Sequence, residues 1–375
     1  MKHLLTLALA ALPCPALACT LCGGDLNSKA TMRQEATQAK VIVVGKLTNA
    51  RLNPNSPDGS GLTELQVERV LKPHAILKGV SQITIPRYLP FDEKSPKFLL
   101  MADVVQGKLD ITAGRFVKDE RVFDYLTAVQ KLDEAGRAKM LQFYFEHLDS
   151  PVPEIAQDAY IEFAKATDAE VGQFAHTLKP DRLRKLLENP ETQAAQLRLF
   201  AFLLGGCGQA QDADLLLRLL QTDSERTHNA LGGLLAGYIV LRPTEGWKRA
   251  ADIVADPKRQ FLDHYAVLST LRFFRGWKPN ENGEVIRYVL KLAVADGSLA
   301  DVAVEDLRRW GWWELTDAVV SAFSLKSHDA PIVRRAIARY ALSCPQEKAK
   351  QFIVDLKKKD PALVKDAAES LEEEK

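Results

Sequence analysis

The chain has 375 residues, with 50 Lys and Arg against 49 Asp and Glu, and a formal net charge of +1. So even a balance gives no electrostatic footprint for nucleic acid. Five cysteines in this length are too few for a disulfide scaffold, so the core must come from ordinary apolar packing.

Met1-Lys2-His3 is a short positive start, and Leu4 to Leu12 is apolar but too short to span a bilayer. Ala16 and Ala18 satisfy the small-residue rule for cleavage before Cys19. Residues 1–18 therefore read as a signal peptide, and the mature chain begins on Cys19-Thr20-Leu21-Cys22. A lipoprotein signal also needs Cys at that point, which makes Cys19 a candidate membrane tether. Ala16, rather than Leu, at the minus-three position argues the other way. No later segment is long and apolar enough to cross a membrane. An exported protein, secreted or in a bacterial periplasm or cell envelope, is the expectation.

Lys29 to Gln38 suits a short helix. From 31 to 118 the pattern is otherwise that of a sheet. The β-branched run Val41 to Val44 opens a strand that continues to Leu52, and Asn53 to Gly61 is rich in turn residues. Leu62 to Val70 alternates, and Val80 to Pro86 is a short strand. Lys97 to Ala102 and Leu109 to Thr112 flank a turn at Gln106-Gly107-Lys108. Several short strands with polar turns predict a small closed barrel or a sandwich. From Val122 to Leu371 the apolar period becomes three and four residues. Helix-start signals near Pro151, Pro190, Ser224, Pro257, Ser298, Pro331 and Pro361 are 30 to 41 residues apart, with two helical patterns in each interval. That is the pattern of a HEAT-like solenoid, with a compact helical domain without repeats as the alternative.

Residues 19–120 resemble the netrin-like module of tissue inhibitors of metalloproteinases. The resemblance rests on the exported Cys19 and Cys22, on "AKVIVVGKLTNARL" at 39–52, on "TELQVERVLKPHAILKG" at 63–79 and on "KFLLMADVVQGKLDITAGRF" at 97–116. It implies an OB-type five-stranded barrel. Family inhibitors start Cys-x-Cys and pin that end by disulfides, and their N-terminal amine and carbonyl chelate an enzyme's zinc. Here two residues separate the thiols, and no cysteine lies between Cys22 and Cys207. Without the pinning bonds the chelating end should be mobile, and ordering it would cost entropy.

Cys19 and Cys22 are the sharpest chemical feature. Two thiolates at this spacing suit a structural disulfide, one soft metal ion such as zinc or copper(I), or thiol exchange. Cys207 and Cys344 read as small hydrophobes at helix ends. His264 follows Asp263, but adjacent helical positions do not face each other, so it reads as a packed or surface histidine. Neither GxSxG nor a P-loop nor HExxH occurs. Arg308-Arg309-Trp310-Gly311-Trp312-Trp313 gathers three indoles and two guanidinium groups. It is either a thick local core or a recognition patch, since such anchors dominate many interfaces.

The fold class expected is thus a small OB-type β-barrel at 19–120 followed by an α-helical, HEAT-like solenoid at 121–375. The function expected is a non-enzymatic scaffold for a protein partner, with no resident cofactor. The alternatives are a metal-binding or thiol-redox protein using Cys19 and Cys22, and metalloproteinase inhibition.

Overall fold

The computed structural model describes residues 19–21, 29–53, 60–132 and 136–374. The leader read at 1–18, Cys22 and the interior of the turn-rich loop after Asn53 lie outside the described residues. The chain divides into two compact units, one of residues 25–165 and one of residues 1–24 with 166–375.

In the first unit Thr31 caps helix α1 (Met32–Gln38) with a capping box, its hydroxyl accepting from Gln34 N while Gln34 reaches back. Five strands follow: β1 (Val41–Leu52), β2 (Gly61–Lys72), β3 (Gln82–Ile85), β4 (Lys97–Val105) and β5 (Lys108–Val117). They form one antiparallel sheet in the order β3-β2-β1-β4-β5. The sheet does not close: β3 and β5 are its edges, so the closed barrel expected from the sequence is an open sheet. Gln106 and Gly107 both have positive φ, as a two-residue turn between β4 and β5 requires.

Val41, Val43, Leu65, Ile83, Phe98 and Leu100 build the core on one face. By the two-residue alternation of a strand, Ile42, Val44, Leu99 and Met101 lie on the other, and they are buried too. That second face explains why β1 opens as an unbroken apolar run rather than an alternating one. Helices α2 (Arg121–Val129), α3 (Arg137–His147) and α4 (Pro153–Ala164) complete this unit, with α2 against β2 and α1 and α4 against α2.

An acidic stripe on α4 fixes the start of the unit. Glu154, Asp158 and Glu162 recur every four residues and so share a helix face. Asp158 accepts from Met32 N (2.7 Å) and from the Tyr125 hydroxyl (2.8 Å). Glu162 accepts from the Thr31 hydroxyl (2.6 Å) and pairs with Arg33 (3.1 Å). Arg115 spans Glu154 (2.9 Å) and Glu35 (3.2 Å). Glu162→Ala removes the acceptor of the Thr31 hydroxyl and the buried partner of Arg33. It should cost about 3 kcal/mol in urea denaturation, and Glu162→Gln, which keeps an acceptor oxygen, about half of that.

The second unit holds α5 (Asp168–Ala175), α6 (Pro180–Glu188), α7 (Ala194–Cys207), α8 (Asp212–Gln221), α9 (Glu225–Leu241) and α10 (Pro243–Ala255). It continues through α11 (Phe261–Trp277), α12 (Gly283–Ala295), α13 (Ala300–Trp310), α14 (Thr316–Ala322), α15 (Pro331–Ser343), α16 (Glu347–Lys359) and α17 (Pro361–Glu372). The start signals read from the sequence after residue 180 fall at or just before α7, α9, α11, α13, α15 and α17. Alternate helices pack side by side: α7 on α9 on α11, α13 on α15 on α17, and α10 on α12 on α14 on α16. Arg272 on α11 reaches Asp306 on α13 (2.8 Å), and Arg184 on α6 reaches Asp212 on α8 (2.6 Å).

After its polar first turn helix α9 is apolar, and Ala230 to Ile239 is buried without a break. It approaches α7 so closely that side chains cannot fit between the backbones. A Cβ on Gly233 would lie 1.9 Å from Arg198 O, and one on Gly237 2.2 Å from Ala201 O. Alanine is the better helix former by up to about 1 kcal/mol, so any loss on substitution measures the packing. Gly233→Ala should cost about 2 kcal/mol or more in chemical denaturation. Gly283→Ala, where the nearest atom is the end of the Arg287 side chain at 3.4 Å, should be close to neutral.

Candidate functional site

Cys19, Thr20 and Leu21 pack within the helical unit. Cys19 is 2% exposed and Leu21 1%. This corrects the expectation of a mobile end. No disulfide is needed to hold it, because Asp168 takes over that task. Asp168 is the first residue of α5, which Thr167 caps through a capping box with Glu170. Its carboxylate accepts from Thr20 N (2.8 Å) and from the Thr20 hydroxyl (3.2 and 3.1 Å). Asp168 is only 3% exposed, and burial pushes its carboxyl up to about 7 against the pull of those bonds. Leu21 lies over α9, its Cδ2 3.8 Å from where a Cβ on Gly232 would be. The Trp277 indole lies against Gly172, where a Cβ would meet Nε1 at 2.1 Å.

Of the two residues read as metal ligands, only Cys19 is described. Among the described residues no three His, Cys, Asp or Glu side chains converge as a metal site. Cys207 and Cys344 are free thiols. Cys344 is buried, as the sequence suggests, and hydrogen-bonds with Thr316 (3.3 Å). Cys207 is half-buried, and desolvation pushes its thiol up to about 11, away from the thiolate.

The tryptophan motif spans the end of α13 and the turn into α14, and its members part ways. Gly311 turns the chain with φ +66. Trp313 packs edge-on against Tyr340 of α15 (5.0 Å). Trp310 and Trp312 pack together (5.1 Å), both half-buried. Two guanidinium groups lie against the Trp312 ring, Arg275 from α11 at 5.5 Å and Arg287 from α12 at 5.3 Å. Arg308 and Arg309 are instead bound by Glu305, three and four residues earlier on α13, and Arg308 also pairs with Glu374 (2.6 Å). Arg339 joins the same two carboxylates. Sequence reading found the indoles but not the cations that cover them, because Arg275 and Arg287 are remote in the chain.

Asp263 and His264 do not pair with each other. Asp263, 2% exposed, accepts from or is bridged to His228 Nδ1 on α9 (2.9 Å) and Arg259 (3.3 Å). His228 Nε2 faces Asp223 (2.8 Å), and His264 Nδ1 faces Asp296 (3.2 Å). On the α8–α10 side, a cleft of about 360 Å³ is lined by Leu217, Tyr238, Glu245, Arg249, Asp252 and Arg259. Its mixed charges and open shape fix no reacting group.

The Asp223 carboxylate, and after it Asp263, holds the His228 imidazolium above its ordinary range. A raised folded-state pKa contributes stability that is complete below about 6.5 and lost as pH rises through the folded value. His228→Gln should therefore lower the melting temperature at pH 6, with the difference from the parent chain shrinking as pH rises and the imidazolium loses its proton.

No family model, curated protein or solved structure matches the chain.

Proposed function

We propose that this chain is an exported, non-enzymatic scaffold that binds a protein partner on its helical unit. The observation that carries this reading is the Trp312 ring, half-buried, with Arg275 and Arg287 both laid against it beside Trp310. An indole already in contact with two guanidinium groups offers apolar area and oriented N–H donors together. Aromatic and arginine anchors of this kind carry most of the energy in protein interfaces. Their charge favours a partner segment that brings a carboxylate to the ring. The stacking of alternate helices supports the repeat reading and gives such a partner an extended surface. The strand order β3-β2-β1-β4-β5, with a core on one face of the sheet, supports the netrin-like OB-type reading, since OB barrels are often partly open.

The alternatives draw less support. A buried Cys19 is poorly placed for thiol exchange or for chelating another protein's zinc.

Placing a photo-crosslinking amino acid at Trp310 in the exported protein tests the reading. A discrete crosslinked partner should appear. Arg287→Ser should weaken binding of that partner by about tenfold while leaving the melting temperature within a degree or two. A crosslinked species that Arg287→Ser leaves unchanged would move the interface elsewhere on the unit.

A further inference from the structure

Asp168 is buried without a cation beside it. Among the described residues its hydrogen bonds come from Thr20 alone. Gly276 makes room for it: a Cβ there would lie 2.6 Å from Oδ2. A carboxylate so enclosed is costly unless a positive charge or a proton offsets it. Its position up to about 7 reflects that cost.

The missing charge is one residue away. Successive backbone nitrogens are about 3.8 Å apart at most, so Cys19 N lies within about 7 Å of the oxygen that Thr20 N reaches at 2.8 Å. Hydrolysis of the Ala18–Cys19 bond adds the elements of water. Ala18 leaves with a carboxylate, and the Cys19 nitrogen becomes an amine that takes a proton.

We propose that the slot holding Cys19, Thr20 and Leu21 is a binding site for the chain's own processed N-terminus, with Asp168 as counter-ion to the Cys19 α-ammonium. The proposal rests on the leader reading. It makes cleavage the step that completes the helical unit. It also excludes a lipid on Cys19 in the docked state, because a residue 2% exposed leaves a diacylglyceryl thioether no way out.

The first measurement is the intact mass of the exported protein. An unmodified start at Cys19 is expected. A different start, or a lipid on Cys19, would overturn the leader reading and this proposal with it. The second measurement compares that mature chain with one carrying a Gly-Ser-Ala extension before Cys19. Each is made with and without Asp168→Asn, and each is read by melting temperature and by the rate of Cys19 alkylation under native conditions. In the mature chain Asp168→Asn should lower the melting temperature by several degrees and speed alkylation at least about tenfold. In the extended chain the same substitution should leave both unchanged or raise the melting temperature. Equal effects in the two chains would overturn the counter-ion and leave the cleavage standing. Thr20→Val, a milder change, should also speed alkylation in the mature chain. An unchanged rate would overturn the slot even if the Asp168 variant does not fold.

Discussion

Buried carboxylates hold the amino-terminal stretch of this chain to helices more than a hundred residues further on. Within the sheet unit, Asp158 and Glu162 receive Met32, Thr31 and Arg33. Within the helical unit, Asp168 receives Thr20. The netrin-like module expected from the sequence would imply disulfides for that task. The magnitudes make the exchange reasonable: a disulfide is worth about 2–4 kcal/mol, and a hydrogen bond to a charged group about 1.5–3. The currency differs, however. A disulfide acts mainly on the unfolded chain, whereas these carboxylates act in the native state and are expensive there. Burial drives Asp158 up to about 6 and Asp168 up to about 7, so desolvation outweighs the bonds that each accepts. An acceptor that only one segment can satisfy penalises every other placement of that segment.

The helical unit is held by a different constraint, the absence of side chains at its centre. Gly205, Gly233 and Gly237 let α7 and α9 come together at backbone distance. That contact buries α9 on every side from Ala230 to Ile239, with α7, α8, α10 and α11 around the helix. Between helices further out, buried ion pairs replace backbone contact. Asp306 and Asp212, each nearly covered, are matched by Arg272 and Arg184 from the next helix but one in chain order. Each such pair is worth little as net energy, because the Coulomb gain is spent on desolvation. Breaking one by removing a partner is costly, so the pairs fix the register of neighbouring helices.

Periodicity carried most of the architecture. The β-branched run at Val41, the turn at Gln106-Gly107 and the change to helical spacing after residue 120 all correspond to observed elements. Closure of the sheet was not legible, because whether β3 meets β5 depends on curvature and not on local pattern. The docking of residues 19–21 was missed for a physical reason too. A CxxC pair draws attention to its sulfurs, while the residue that fixes it is the threonine between them. The anchoring of Thr31, Met32 and Arg33 in the sheet unit did have a signal: Glu154, Asp158 and Glu162 recur every four residues in a helix otherwise rich in Ile, Ala, Tyr and Phe. A charged stripe beside an apolar one must either face solvent or meet partners, and the burial of Asp158 and Glu162 decides for partners. The link from His228 to Asp263 joins two helices, and His264 meets Asp296 just past the end of α12, so no local spacing announces them.

The motif around the tryptophans shows why charge counted along a sequence misplaces a surface. Arg308 and Arg309 look like its cations. Yet Glu305 stands three and four residues earlier, at the spacing where helical side chains meet, and it takes both. Arg339 and Glu374 extend the network until three guanidinium groups share two carboxylates. Charges so matched are unavailable to a partner unless the network is broken first. Arg287 is different: its nearest carboxylate, Glu314, stands at 3.7 Å, too far for a strong hydrogen bond. Arg275 gives one N–H to Pro279 O and holds its guanidinium carbon 5.5 Å from the centre of the Trp312 ring. Stacking on an indole orients a guanidinium without consuming its in-plane donors. The side chains best prepared to receive an incoming carboxylate are therefore the two that reach the tryptophan motif from α11 and α12, and not the two that precede it in sequence.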